Sequence, residues 1–150
     1  KDRATEWKVP IAFMQYLKQG ADYITPSGEI IANERLTAAP PPPRSYAYMT
    51  DTLFRERFAD FVQGVDLLYH EATYGKADEI LAKESFHSTA EQAARVAKAA
   101  GAQKLLLGHF SARYTDPYCL LPEAQAIFPE TFICSDGDVY EVSVQKRREN

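Results

Sequence analysis

Three times along this chain a short apolar run hands a chemically reactive residue to the segment that follows it. Residues 45–49 lead to Asp51, residues 65–69 to His70-Glu71, and residues 104–107 to Gly108-His109. Between these runs lie stretches with helical patterning or a helix-start signature. Repeats of this kind build a parallel sheet with helices packed on it, because parallel strands need long crossover connections. Strand ends in such a sheet share one edge, and ligands and catalytic groups collect there. The pattern predicts an α/β domain whose Asp51, Glu71 and His109 meet although they lie far apart in sequence.

The local signals fill in the rest. Residues 9–17 carry Ile11, Met14, Tyr16 and Leu17 at helical spacing ahead of Gly20, which predicts a short helix. Residues 23–31 surround Pro26-Ser27-Gly28 and read as a small hairpin with Ile30 and Ile31 on its return strand. Four prolines, Pro40 to Pro43, follow; they lack amide donors and read as a stiff surface connector. This places a boundary between residues 1–43 and 44–150. Residues 52–61 read as an amphipathic helix with Leu53, Phe54, Phe58 and Phe61 inward. Ser88-Thr89-Ala90-Glu91 reads as a capping box opening an alanine-rich helix that Gly101 stops. A helix over 122–128 and strands over 131–134 and 139–144 complete the expectation.

The bulk numbers exclude several classes. Seventeen basic against 21 acidic side chains give a net charge of -4, so the chain lacks the broad positive field of a general nucleic-acid binder. Cys119 and Cys134 form no paired-thiol motif, which fits a reducing, cytoplasmic setting. No apolar stretch reaches the ~18 residues of a membrane span, and no signal-peptide pattern is present. The first residue is Lys1 rather than methionine, so the chain is expected to begin inside a longer gene product or to follow removal of a segment.

All three histidines sit in polar signatures: His70 in Tyr-His-Glu-Ala-Thr, His87 in Phe-His-Ser-Thr and His109 in Gly-His-Phe-Ser-Ala-Arg-Tyr. Asp51 and His109 offer the oxygen and nitrogen donors that suit a divalent metal, zinc first, but two ligands are fewer than a catalytic site uses. Glu71 and His87 form a second pair, since a carboxylate beside an imidazole orients it and favours its protonated form. Such a histidine can protonate a leaving oxygen. Ser88 at a helix start and Arg113 after His109 are placed to contact an anion such as phosphate. Other readings exist for each. Asp51 could cap a helix, His70 could be a core histidine, Ser88 and Thr89 could be only a helix start, and Arg113 could be a solvated charge.

Taken in order, Asp51-Thr52, His70-Glu71-Ala72-Thr73, His87-Ser88-Thr89 with Glu91-Gln92-Ala93-Ala94, and His109-Phe110-Ser111-Ala112-Arg113-Tyr114 resemble the carboxyl-terminal half of the ribonuclease Z family. Glu123-Ala124, Ile127-Phe128-Pro129 and Asp136-Gly137 continue the match, so it runs from about Arg44 to the end. The resemblance implies half of a metallo-β-lactamase αββα sandwich. It further implies a zinc-dependent endoribonuclease that removes the 3′ trailer of precursor tRNA by attack of metal-bound hydroxide. Asp51 would be the carboxylate shared by two zinc ions, and His109 a ligand of one. Glu71 and His87 would be the pair that protonates the leaving 3′ oxygen. His70 has no ligand role there. The family is typically dimeric and its substrate is precursor tRNA.

The departures set the other expectation. The family's His-x-His-x-Asp-His motif is absent from these 150 residues, Thr50 stands where a glycine often precedes the aspartate, and residues 1–20 lack the Gly-Pro character of the family's arm. The chain is therefore expected to hold only part of a site and to be inactive alone. A phosphodiesterase of the same superfamily acting on small substrates, or a non-catalytic interaction domain, are the competing readings.

Overall fold

The computed structural model of the chain describes residues 2–38, 40 and 43–142. It divides into two compact units, Lys1–Pro42 and Pro43–Asn150.

The smaller unit contains helix α1 (Asp2–Glu6), a 3-10 turn at Ile11–Phe13 running into α2 (Met14–Lys18), strands β1 (Tyr23–Ile24) and β2 (Ile30–Ile31), and α3 (Asn33–Leu36). The strands pair antiparallel, Tyr23 opposite Ile31, as the Pro26-Ser27-Gly28 turn requires. Gly28 takes φ +86° there, a conformation open to glycine at little cost. Ala4, Val9, Leu17, Tyr23, Ile31 and Leu36 form its core. The Asn33 amide donates to the carbonyls of Leu17 and Ala21, which ties α3 to the end of α2 and the turn after it.

The larger unit is a four-stranded parallel sheet in the order β3 (Tyr46–Met49), β4 (Leu67–Glu71), β5 (Lys104–Gly108), β6 (Thr131–Ile133). Helix α4 (Glu79–Glu84) follows β4, α5 (Ala90–Ala100) crosses back to β5, and α6 (Leu121–Gln125) precedes β6. Strand periodicity gives the sheet two unlike faces. Leu68, Leu105 and Leu107 are fully buried in the core that also holds the alanines of α5. Each such leucine contributes about 1.5–3 kcal/mol of burial. Ala90, Ala93, Ala94, Ala97 and Ala100 are all buried, and side chains this small let the helix lie close to the sheet. On the opposite face Tyr46, Tyr48 and Phe132 remain 55%, 60% and 40% exposed, with Tyr48 and Tyr69 stacked 4.5 Å apart. A methyl group on Gly108 would meet the Tyr69 ring at 2.8 Å and its hydroxyl at 2.4 Å, so this packing demands glycine just before His109.

Several local expectations shift. Residues 52–55 are not helical, and a 3-10 segment occupies Glu56–Val62 with Phe61 80% exposed rather than inward. The cap of α5 is Thr89 with Gln92, one residue later than the predicted Ser88 with Glu91. The predicted helix over 122–128 is a 3-10 turn at Pro117–Leu120 followed by the shorter α6. No strand forms over 139–142, and residues 143 and 144 lie outside the described residues, as do Pro41 and Pro42.

His70, on β4 between Met49 and Leu107, is fully buried. Its Nδ1–H donates to the Glu71 carbonyl at 2.7 Å, so the core reading of this histidine holds. Burial disfavours its charged form and lowers its pKa below the ordinary 6.5, against the weaker pull of Glu71. The unfolded chain then binds a proton that the folded chain refuses. Stability from this residue is complete above about pH 6.5 and is lost as pH falls below it. Melting temperatures measured at pH 7.5 and 5.5 should differ less for His70→Gln than for the wild-type protein.

Candidate functional site

Four segments meet at the carboxyl edge of the sheet because one buried carboxylate gathers them. Glu71, the last residue of β4, has no exposed surface. Its Oε1 accepts from the Thr52 N–H at 2.7 Å and from His87 Nδ1 at 2.9 Å. Its Oε2 accepts from the Thr73 hydroxyl at 2.6 Å, the Ser88 N–H at 3.2 Å and the Thr73 N–H at 3.3 Å. Burial alone would push this carboxyl up. The donors from Thr73, His87, Thr52 and Ser88 outweigh that and hold it below the ordinary carboxylate range.

The Glu71 hub sets His87 opposite the ends of β3 and β5. Asp51 and His109 follow those strands, each with positive φ, +49° and +57°. Aspartate and histidine tolerate this region better than most side chains, but it still strains them. Asp51 Oδ1 and His109 Nε2 lie 3.3 Å apart, and the rings of His87 and His109 are tilted with centroids 5.2 Å apart. One donor atom from each of Asp51, His87 and His109 falls within 4.8 Å of the others. The sequence reading kept His87 apart from the metal-type pair, and the geometry brings all three together.

This donor set fits a divalent metal. Two ligands about 2.0–2.1 Å from a tetrahedral ion lie about 3.3 Å apart, close to the Asp51–His109 separation. Nitrogen and carboxylate oxygen are the donors such ions take together. Three groups are enough to begin a site and too few to complete a pair of ions.

Two other expectations meet the structure differently. Ser88 is fully buried and its hydroxyl donates to the Thr52 carbonyl at 2.6 Å, which ties this loop to the residues after β3. The start of α5 is also already taken. The Glu91 N–H donates to Glu123 Oε1 at 3.3 Å, the Gln92 N–H to Thr89 Oγ1 at 3.2 Å, and the Ala90 N–H to the Tyr74 carbonyl at 2.9 Å. Arg113 is exposed, pairs with Asp78 at 2.9 Å and lies 5.5 Å over the centre of the Tyr74 ring. Tyr74 in turn meets the His87 ring edge-on at 6.3 Å between centroids. Thr73 was missed as a site residue. It touches Glu71 and His109 together, and its place two residues after Glu71 was the available signal.

The model of the beta-lactamase superfamily domain matches residues 35–110, about half of the chain and all four of Asp51, Glu71, His87 and His109. The chain belongs to the beta-lactamase superfamily. Among its relatives in that superfamily, the ribonuclease Z of Bacteroides fragilis (strain YCH46) is 49% identical over 137 residues, 91% of this chain and 45% of the relative. The ribonuclease Z of Porphyromonas gingivalis (strain W83) is 48% identical over 136 residues, again 91% and 45%. The chain thus spans about half the length of these curated relatives. A solved structure, the metallo-beta-lactamase fold protein YhfI from Bacillus subtilis, superposes with a TM-score of 0.58 at 30% identity, over 62% of this chain and 38% of that one. The parallel sheet with its flanking helices is therefore part of a metallo-β-lactamase fold.

In this superfamily member Glu71→Gln replaces one carboxylate oxygen by an NH2 group that must face the backbone N–H of Thr52 on one side or those of Ser88 and Thr73 on the other. Every arrangement leaves buried N–H groups unpaired, at about 1–3 kcal/mol each. Urea unfolding should show a loss of at least about that size, larger than for Glu71-distant surface variants such as Glu130→Gln.

Proposed function

We propose that the protein containing this chain is a zinc-dependent endoribonuclease that removes the 3′ trailer of precursor tRNA, and that these 150 residues carry only part of its site. The observation that supports this most is the juxtaposition of two pairs, Asp51 with His109 and Glu71 with His87, on the motifs shared with ribonuclease Z. Asp51 and His109 would hold zinc together with ligands from elsewhere in the protein. Bound zinc polarises a phosphoryl oxygen and makes water a better nucleophile. Glu71 fixes His87 through Nδ1, which leaves Nε2 to hand a proton to the leaving 3′ oxygen. Arg113, exposed beside Tyr74, contacts a backbone phosphate.

The tyrosine-rich face of the sheet agrees with a partial chain. Tyr46, Tyr48 and Phe132 are the kind of exposed apolar surface that marks a packing partner, and the remaining length of the protein supplies one. The working form is read as a cytoplasmic homodimer. Among the described residues no helix is long and apolar enough to cross a membrane.

Precursor-tRNA cleavage by the full-length protein, with none by the isolated 150 residues, is the expected result of a trailer-release assay. Cleavage of bis(p-nitrophenyl) phosphate without cleavage of precursor tRNA would instead make it a small-substrate phosphodiesterase. In the full-length protein His87→Ala should lower turnover about 10²–10⁴-fold while zinc content, read by elemental analysis, stays near two ions. Loss of zinc in that variant would make His87 a ligand instead of a proton donor.

A further inference from the structure

Thr73 has one hydroxyl proton and three neighbours that could use it. Its Oγ1 lies 2.6 Å from Glu71 Oε2, 3.0 Å from the His109 carbonyl and 2.9 Å from His109 Nδ1. A hydroxyl donates once and accepts through two lone pairs. The carboxylate is charged and nearest, and bonds to an ionised acceptor are the stronger ones, so the proton goes to Glu71. The oxygen then has lone pairs to offer, and His109 Nδ1 is the neighbour able to donate to them. This places the ring proton of neutral His109 on Nδ1 and leaves a lone pair on Nε2. That nitrogen is the one 3.3 Å from Asp51 Oδ1. Two acceptors then face each other across a gap, an arrangement that a cation stabilises.

We propose that Thr73 is a positioning residue that sets the tautomer of His109, so that the carboxylate orienting His87 also fixes, through one hydroxyl, which nitrogen of His109 faces the metal. Thr73 is 6% exposed, and the His109 backbone is bracketed by the Ala72 N–H donating to the Gly108 carbonyl at 2.9 Å and the Ser111 N–H donating to the Thr73 carbonyl at 3.0 Å. The hydroxyl is therefore held by backbone on both sides of the ring it addresses. The inference rests on the metal-site reading for the role of Nε2, but the tautomer itself can be read without metal.

The test uses the full-length protein with 15N-labelled histidine, stripped of metal at pH 8, and long-range 1H–15N correlation spectra assigned with His109→Gln. Wild type and Thr73→Ser should show His109 protonated at Nδ1 and bare at Nε2. Thr73→Val, which keeps the shape and removes the hydroxyl, should lose that preference, and its zinc affinity should fall about 10–100-fold, the usual effect of removing a partner of a ligand. Thr73→Ser should restore affinity. An Nε2-protonated His109 in the wild-type protein would overturn the proposal even if Thr73→Val failed to fold. An unchanged tautomer and affinity in folded Thr73→Val would overturn it as well. Absence of zinc binding by the wild type would instead count against the metal-site reading, while the tautomer would still be measured.

Discussion

The buried carboxylate of Glu71 is the constraint on which the rest of the site depends. It lies at the end of a strand that is covered on both sides, where an unpaired charge would cost several kcal/mol. The chain meets that cost by drawing in donors from three other places: the N–H of Thr52 after β3, the ring of His87, and the N–H of Ser88 ahead of α5. Folding the sheet buries Glu71, and satisfying Glu71 assembles the site.

The same interaction explains where sequence reasoning succeeded and where it failed. Strands β4 and β5 were legible because Leu68, Leu105 and Leu107 belong to apolar runs with few competing signals, and the reactive residues at their ends were legible by type. The helix expected over 52–61 was not found. The N–H of Thr52 is taken by Glu71 and its carbonyl by the Ser88 hydroxyl, so the chain is held extended where a helix would have started. The capping box moved for the same reason: Ser88, having given its hydroxyl to Thr52, leaves the cap to Thr89 and Gln92. Both errors are local propensity overruled by a contact 19 or 36 residues away in sequence. A single sequence carries no signal for such a contact, because the residue that captures Thr52 lies on another strand.

The start of α5 shows how a general rule can point to a feature and miss its occupant. Helix N-termini attract anions, and this one has an anion, supplied by the protein itself as Glu123. Its carboxylate also accepts from the Lys76 N–H at 3.0 Å, so the loop after β4 is pinned to the same helix end. Asp78 on that loop takes the guanidinium of Arg113 and the hydroxyl of Tyr114, the latter at 2.5 Å. These polar ties hold Arg113 over the Tyr74 ring, whose edge meets His87.

What remains to be accounted for is the backbone of the two residues that face each other across the site. Asp51 and His109 adopt left-handed conformations that cost non-glycine residues about 1–3 kcal/mol each. Glycine would relieve that cost and would also remove the donor atom. Phe86, just before His87, adopts the same region at φ +62°, so three strained positions surround one cluster. The positions are bracketed by fixed bonds: Thr52 N–H on Glu71 follows Asp51, and Thr73 meets both the ring and the carbonyl of His109. Strain held in place by the very residues that orient the reactive side chains is what a site selected for geometry rather than stability would contain. It also makes the loops after β3 and β5 depend on Glu71 and Thr73, so that the Glu71–His87 pair and the Asp51–His109 pair are set by one network.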